Sequence, residues 1–291
     1  MTMKISKNHS LLLLFGISIF ITSCSDSLSD TTDGRLRYWI STLSSDEFEG
    51  RAPGTEGGKL TKNFISKTFQ DLNLDPVNGS YFLDVPASEI TLKDSSYLTL
   101  SFRGNDRKMI TGEEVVFWTK QAREYRKIRD SEVVFVGYGI VAPEYNWNDY
   151  DGIDVKGKTV VILINDPGFA TGKLRLFNGK SMTYYGRWTY KFEEAARQGA
   201  AAAIVIHEEE PAAYPWSVVE NSWQGPQLDL QRDDLGADRV ILEGWIRDST
   251  LNDVLNFTGF NYDSLKEIAL EKTFSAFPLR GLTLSSEIHN K

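Results

Sequence analysis

The chain has 291 residues, of which 41% are hydrophobic and 25% charged; that is ordinary globular composition, with room for one large domain or two small ones. Its net charge is −8 and no lysine/arginine run interrupts the acidic balance, so nucleic acid is a poor partner, because an acidic surface repels phosphate backbones. A single cysteine excludes an internal disulfide.

Lys4 and Lys7 precede the apolar run LLLLFGISIFIT (11–22), which is short for a bilayer span and suits the core of a signal peptide. The run ends in ITSC (21–24), and this arrangement resembles the bacterial lipoprotein processing site. Residues 1–23 are then a leader, and Cys24 becomes the lipidated first residue of the mature chain. Loss of Lys4 and Lys7 leaves that chain two charges more negative. An ordinary secretory signal with a chance cysteine is the other reading. Residues 24–34 read as a flexible tether.

Residues 35–50 carry Leu36, Trp39, Ile40 and Leu43 at helical spacing, and GRAPGTEGG (50–58) breaks the pattern. A second helix is expected over 59–74, with Leu60, Phe64, Ile65, Phe69 and Leu72 on one side. From about residue 80 the period shortens. YFLDVPASEITL, SYLTLSFRG and EEVVFWT read as strands, and SEVVFVGYGI (131–140) and KTVVILIND (158–166) more strongly so. The continuous apolar run in the last of these suits a strand buried on both faces. A helix is predicted over 186–199, where Glu193 and Arg197 form an i,i+4 pair and Gly199 can end it. AAAAIVI (200–206) and DRVILEGWI (238–246) follow as strands. Helices are predicted near 249–259 and 263–272, with an extended segment after them.

Few of these segments carry self-sufficient chemistry. His207 opens HEEE (207–210), but Pro211 stands where a helical HExxH motif places its second histidine, so a solvated loop after a buried strand is expected. VGYGIVA (136–142) matches a dinucleotide-binding fingerprint, yet Pro143 and a turn-rich stretch follow instead of a helix, so Gly137 and Gly139 are assigned to a bend or bulge. Asp149, Asp151 and Asp154 resemble part of a calcium loop, but Val160 stands where an EF-hand needs its closing glutamate, and a turn is the expected reading. No G-x-S-x-G is present, and the two mature histidines, His207 and His289, offer few bases for a triad.

Several stretches together resemble one family. LSSDEFEGRAPGTEGGKLTKNFISKTFQDLNL (43–74) is similar to the opening of bacterial zinc metallopeptidases of the M28 family, the aminopeptidase group. FVGYGIVAPEYNWNDYDGIDVKGKTVVILINDPGF (135–169) and YYGRWTYKFEEAARQGAAAAIVIHE (184–208) resemble the protease-associated (PA) domain inserted in those enzymes, and YPWSVVENSW (214–223) fits the same subgroup. The resemblance implies an α/β fold: a β-rich PA domain inserted after the first helices of an incomplete α/β zinc-peptidase domain. Residues 35–85 become the N-terminal helices of the peptidase domain, 86–250 the PA domain with flanking strands, and 251–291 a return segment toward the zinc catalytic domain.

In such enzymes two zinc ions activate a water and polarise the scissile carbonyl, and a glutamate acts as general base, removing N-terminal amino acids from peptides. Those ligands follow the PA insertion and are expected beyond Lys291. No catalytic, cofactor-binding or metal-binding residue is therefore assigned here; Cys24 is the one site residue, and this chain is expected to be inactive alone. Arg51, Gly54 and Trp188 are expected to serve folding. Two other readings stay open: a standalone PA-type protein- or peptide-binding module, and a split enzyme whose zinc half is supplied in trans. The expected setting is the bacterial cell envelope, facing periplasm or cell surface.

Overall fold

The computed structural model describes residues 32–291, so the leader, Cys24 and most of the tether lie outside the described residues. The chain divides into two compact units between Asp84 and Val85. None of the described helices is long and apolar enough to cross a membrane.

The first unit is helical. Helix α1 (Thr32–Leu43) starts inside the expected tether, because Asp33 lies in its first turn and pairs with Arg37 at 2.8 Å. The expected single helix over 35–50 breaks after Leu43. A 3-10 stretch follows at Asp46–Arg51, with Glu49, Gly50 and Arg51 all at positive φ. The Arg51 guanidinium donates back to the Leu43 carbonyl and ties the end of α1 to this turn. Helix α2 (Glu56–Asp71) begins ahead of the expected Lys59, because the Thr55 hydroxyl caps it by accepting from Gly58 N at 3.2 Å. Among the described residues of this unit, Phe48 is the one large apolar side chain that is buried, and its ring meets Phe64 edge-on. Leu36, Ile40, Ile65, Phe69 and Leu72 stay exposed.

The second unit opens with β1 (Ala87–Ile90), β2 (Tyr97–Phe102), β3 (Asn105–Lys108), β4 (Val115–Trp118) and β5 (Tyr125–Phe135). The short hairpin β6 (Val141–Ala142) and β7 (Trp147–Asn148) leads to β8 (Thr159–Leu163), α3 (Pro167–Thr171), α4 (Trp188–Arg197) and β9 (Ala202–His207). Then come α5 (Glu209–Ala212), α6 (Trp216–Ser222), β10 (Gln227–Leu230), β11 (Leu242–Arg247), α7 (Asp248–Asn256), α8 (Tyr262–Ile268) and β12 (Phe277–His289).

Eight of these strands form one sheet in the order β3-β2-β12-β5-β8-β9-β11-β4. Its centre is parallel: β5 pairs with β8, β8 with β9 and β9 with β11. The remaining pairings are antiparallel. The result is a mixed α/β fold, as the alternation of strand and helix patterns implies.

Successive side chains of each central strand enter opposite cores. Val133, Phe135, Val161, Leu163, Ile204 and Ile206 join one cluster, which α7 and α8 cover with Leu251, Leu255 and Leu265. Val134, Val160, Ile162, Ala203 and Val205 join the other, with Phe192 and Ala195 of α4 and Trp216 of α6. Burial on both faces accounts for the unbroken apolar runs in sequence; each Val, Leu, Ile or Phe so placed contributes about 1.5–3 kcal/mol.

Two elements depart from the sequence reading. β3 carries Asn105, Asp106, Arg107 and Lys108 and no apolar residue, yet it pairs with β2 as an edge strand, where charge discourages further pairing. The boundary expected at residue 250 falls inside α7, and β12 lies within the sheet between β2 and β5. Residues 251–291 thus complete the sheet of this unit.

Candidate functional site

Parallel strands present the C-terminal ends of β8 and β9 side by side, the usual place for a ligand crevice in an open α/β sheet. Beyond β8 the chain runs Ile164-Asn165-Asp166 before α3; beyond β9 it runs into Glu208 and α5. Between these ends lies a cleft of ≈ 210 Å³.

Asn165 takes a left-handed backbone (φ 68°), a conformation asparagine tolerates better than most residues. Its amide donates to Pro211 O at 2.8 Å, joining the two strand ends. Asp166 is fully buried and is the N-cap of α3. One oxygen accepts from Gly168 N (3.0 Å) and Phe169 N (3.2 Å), the other from the Thr183 hydroxyl at 2.8 Å. Pro167 at the first helical position completes a start signal that the sequence carries openly.

Lys191 of α4 is fully buried beneath this floor. Its ammonium donates to Tyr138 O at 2.6 Å and Asn165 O at 2.8 Å. Burial pushes its pKa down, and the fields of Asp149 and Asp166 oppose that shift. Burial pushes Asp149 up, against the hydrogen bonds it accepts from Ile140 N (2.9 Å) and Trp147 Nε1 (2.7 Å).

One wall is the Glu208–Lys266 ion pair at 2.9 Å; the lip carries Lys180 and Glu210, 3.7 Å apart. The Lys180 ammonium sits 4.3 Å above the Phe169 ring. Tyr262 lies under Lys266, and its buried hydroxyl has no hydrogen-bond partner of ordinary geometry among the described residues. Burial and the neighbouring Glu208 carboxylate push this phenol well above its ordinary pKa.

The HEEE segment requires a correction. His207 is buried at the end of β9, and its Nε2 lies 3.1 Å from Tyr214 O, within a cage of Tyr214, Trp216 and Trp245. Burial lowers its pKa. Glu208 is half-buried by its pairing, and Glu209–Ala212 coil into α5. The expected solvated loop is thus reduced to the exposed Glu209 and Glu210, because the aromatic cage and Lys266 hold the two residues before them.

Other sequence candidates are dispersed. Gly137 (φ 55°) and Gly139 (φ 60°) shape a tight turn where a Cβ would lie 2.9 Å from Phe274 and Ile162 respectively, so their spacing serves packing. Asp149 turns inward, whereas Asp154 caps its own turn by accepting from Lys156 N at 2.9 Å. Among the described residues no group of three or more His, Cys, Asp or Glu could hold a metal ion. The two described histidines do not fit a shared zinc site: His207 ends β9, while His289 faces Tyr125 at the start of β5, at the opposite end of the sheet. Trp188 is half-buried, edge-on to Phe192 and Trp223.

Fold and site define a mixed α/β unit with a small, charged-lipped cleft at the carboxyl ends of two parallel strands. Neither a protein-family profile nor a curated protein matches the sequence. Several solved structures are similar, two of them at 15% identity. An aminopeptidase from Aneurinibacillus sp. strain AM-1 aligns with 86% of this chain and 43% of its own, at a TM-score of 0.36. BSAP, a zinc aminopeptidase from Bacillus subtilis, aligns with 88% of this chain and 43% of its own, at a TM-score of 0.30. The chain thus spans less than half the length of either.

Proposed function

We propose that this chain forms the N-terminal and PA part of a lipid-anchored M28-type metallopeptidase, which removes N-terminal amino acids from peptides with two zinc ions held by residues outside those described here. The sequence resemblance of segments 43–74, 135–169 and 184–208 motivates the reading. The structural observation that carries it is the helical unit. Its described residues bury one large apolar side chain, Phe48, and leave Leu36, Ile40, Ile65, Phe69 and Leu72 exposed. Helices stabilised by so little of their own packing need a further apolar surface, as elements of a larger α/β domain would have. Cys24, outside the described residues, holds the lipid, and the PA insertion that begins at residue 86 shapes access to the cleft of the complete enzyme.

The test is hydrolysis of an aminoacyl anilide by the purified chain with added zinc. No turnover is expected. Hydrolysis that a chelator abolishes would show that the zinc site lies within this chain and would sink the proposal.

The second unit favours another reading. It has a complete two-sided core, so a cell-envelope binding module without catalysis is physically self-sufficient. A monomeric chain with a cooperative melt supports that reading, whereas self-association through α1 and α2 supports the peptidase part.

A further inference from the structure

We infer that the open edge of β1 is a strand-addition site. An extended peptide segment lies antiparallel to β1, on the line of β12, with a basic side chain opposite Glu89. The inference stands on this slot alone and holds whether or not the chain belongs to a peptidase.

Hydrogen-bond alternation along β1 defines the edge. Gln231 N donates to Pro86 O at 2.9 Å, so in the β1–β10 register the even-numbered residues of β1 bond to β10 and the odd-numbered ones face away. Thr91 shows the second direction: it exchanges both main-chain bonds with Lys291, at 2.9 and 3.0 Å. Glu89 and Ala87 turn their N–H and C=O to that same side, where no described group bonds them. β1 and β10 form a two-stranded ribbon, which is marginal alone and gains from a third strand.

The space beside this edge is a slot of ≈ 310 Å³. Residues 88–90 form one wall and 122–124 the other, and Asn290 and Lys291 close one end. It lies where the pairing of Lys291 with Thr91 continues toward Glu89, so a strand placed there takes a register already begun. Asn290 supplies an independent sign of an occupant. It is 3% exposed, its amide donates to Arg123 O at 2.9 Å, and its Oδ1 is buried with no partner among the described residues. A buried amide oxygen in that state calls for a donor, which a peptide N–H supplies.

Charge selects the side chain. Directly opposite residues of an antiparallel pair share a face, so the occupant's residue across from Glu89 meets its carboxylate. Glu89 is exposed and makes no ion pair among the described residues, whereas Arg123, Glu124 and Lys291 stand together at the closed end. A lysine across from Glu89 is favoured there and a glutamate repelled.

Fluorescence polarisation of the full chain tests this, with N-acetylated Thr-Lys-Thr-Val-Thr carrying fluorescein at its C-terminus; the lysine falls opposite Glu89 and the valine opposite Ala87. Saturable binding is expected with a Kd below about 1 mM, together with slower amide hydrogen exchange over residues 86–91. N-methylation of the valine, whose N–H faces β1, should weaken binding at least about fivefold. Glutamate in place of the peptide's lysine should weaken it about threefold, and Glu89→Lys, at an exposed position, should reverse that preference without moving the melting temperature. The proposal is overturned by no change in polarisation up to about 1 mM chain, by equal affinity for the N-methylated peptide, or by an unreversed preference in Glu89→Lys. Slow exchange over residues 86–91 without peptide would also overturn it, since the edge would then already be paired.

Discussion

The Lys191 ammonium of α4 donates to the main-chain carbonyl of Asn165 at 2.8 Å, so a buried cation fixes the left-handed residue that forms the cleft floor. The same ammonium holds Tyr138 O, on the glycine turn after β5. One side chain thus ties α4 to the segments that follow two paired strands, β5 and β8.

Lys191→Met orphans both carbonyls. Each buried acceptor left unpaired costs about 1–3 kcal/mol, offset in part because an ammonium no longer has to be desolvated. A net loss of roughly 1–3 kcal/mol is expected in urea unfolding. The pH dependence has a definite sign. A folded-state pKa below the unfolded value means that the unfolded chain holds the extra proton, so the wild type should gain stability over the variant as pH rises toward about 10.

His207 gives the second prediction. Its pKa is lowered by burial, so as pH falls below about 6.5 the unfolded chain takes up a proton that the folded chain resists. Stability contributed by neutral His207 is therefore present above that pH and lost below it. Asp149, raised by burial, acts with the opposite sign in part of this window. The difference between wild type and His207→Gln isolates the histidine, and it should shrink as pH is lowered from 7 to 5. A difference independent of pH would refute the assignment.

Glu243 is buried on β11 and accepts from Trp118 Nε1 at 2.9 Å, with Lys120 at 3.9 Å. Burial raises its pKa against those two partners. Glu243→Leu leaves the indole N–H without its acceptor and should cost about 2 kcal/mol; Glu243→Gln keeps an acceptor and should cost less. Chemical denaturation of the two variants separates the hydrogen bond from the charge.

Gly139→Ala places a Cβ 2.9 Å from Ile162 at a φ of +60°. Strain and overpacking together should cost about 2–4 kcal/mol, read as a lowered melting temperature. A neutral result would remove the packing explanation for the glycine pair.

The central strands were legible in sequence because burial on both faces makes them continuous apolar runs, as in TVVIL and AAIVIH. The edge strand β3 was not, since its residues are charged and its pairing comes from a neighbour. The cleft was harder still. Asp166-Pro167 carries a helix-start signal, but Lys191 reads as the polar side of an amphipathic helix, and only the fold shows it to be buried. Glu208 and Lys266 stand far apart in the chain, and no periodicity brings them together. His207 drew attention as a possible ligand, and its aromatic cage is assembled from α6 and β11, which local sequence does not reveal.

The most direct measurement is the mass of the native product, captured from the source cell's membrane fraction with an antibody to residues 130–250. The peptidase reading predicts a lipid-modified species clearly larger than 32.9 kDa, carrying chelator-sensitive aminopeptidase activity. A single species near 32.9 kDa, with neither activity nor a zinc-bearing partner, would contradict it and leave the binding module as the better description.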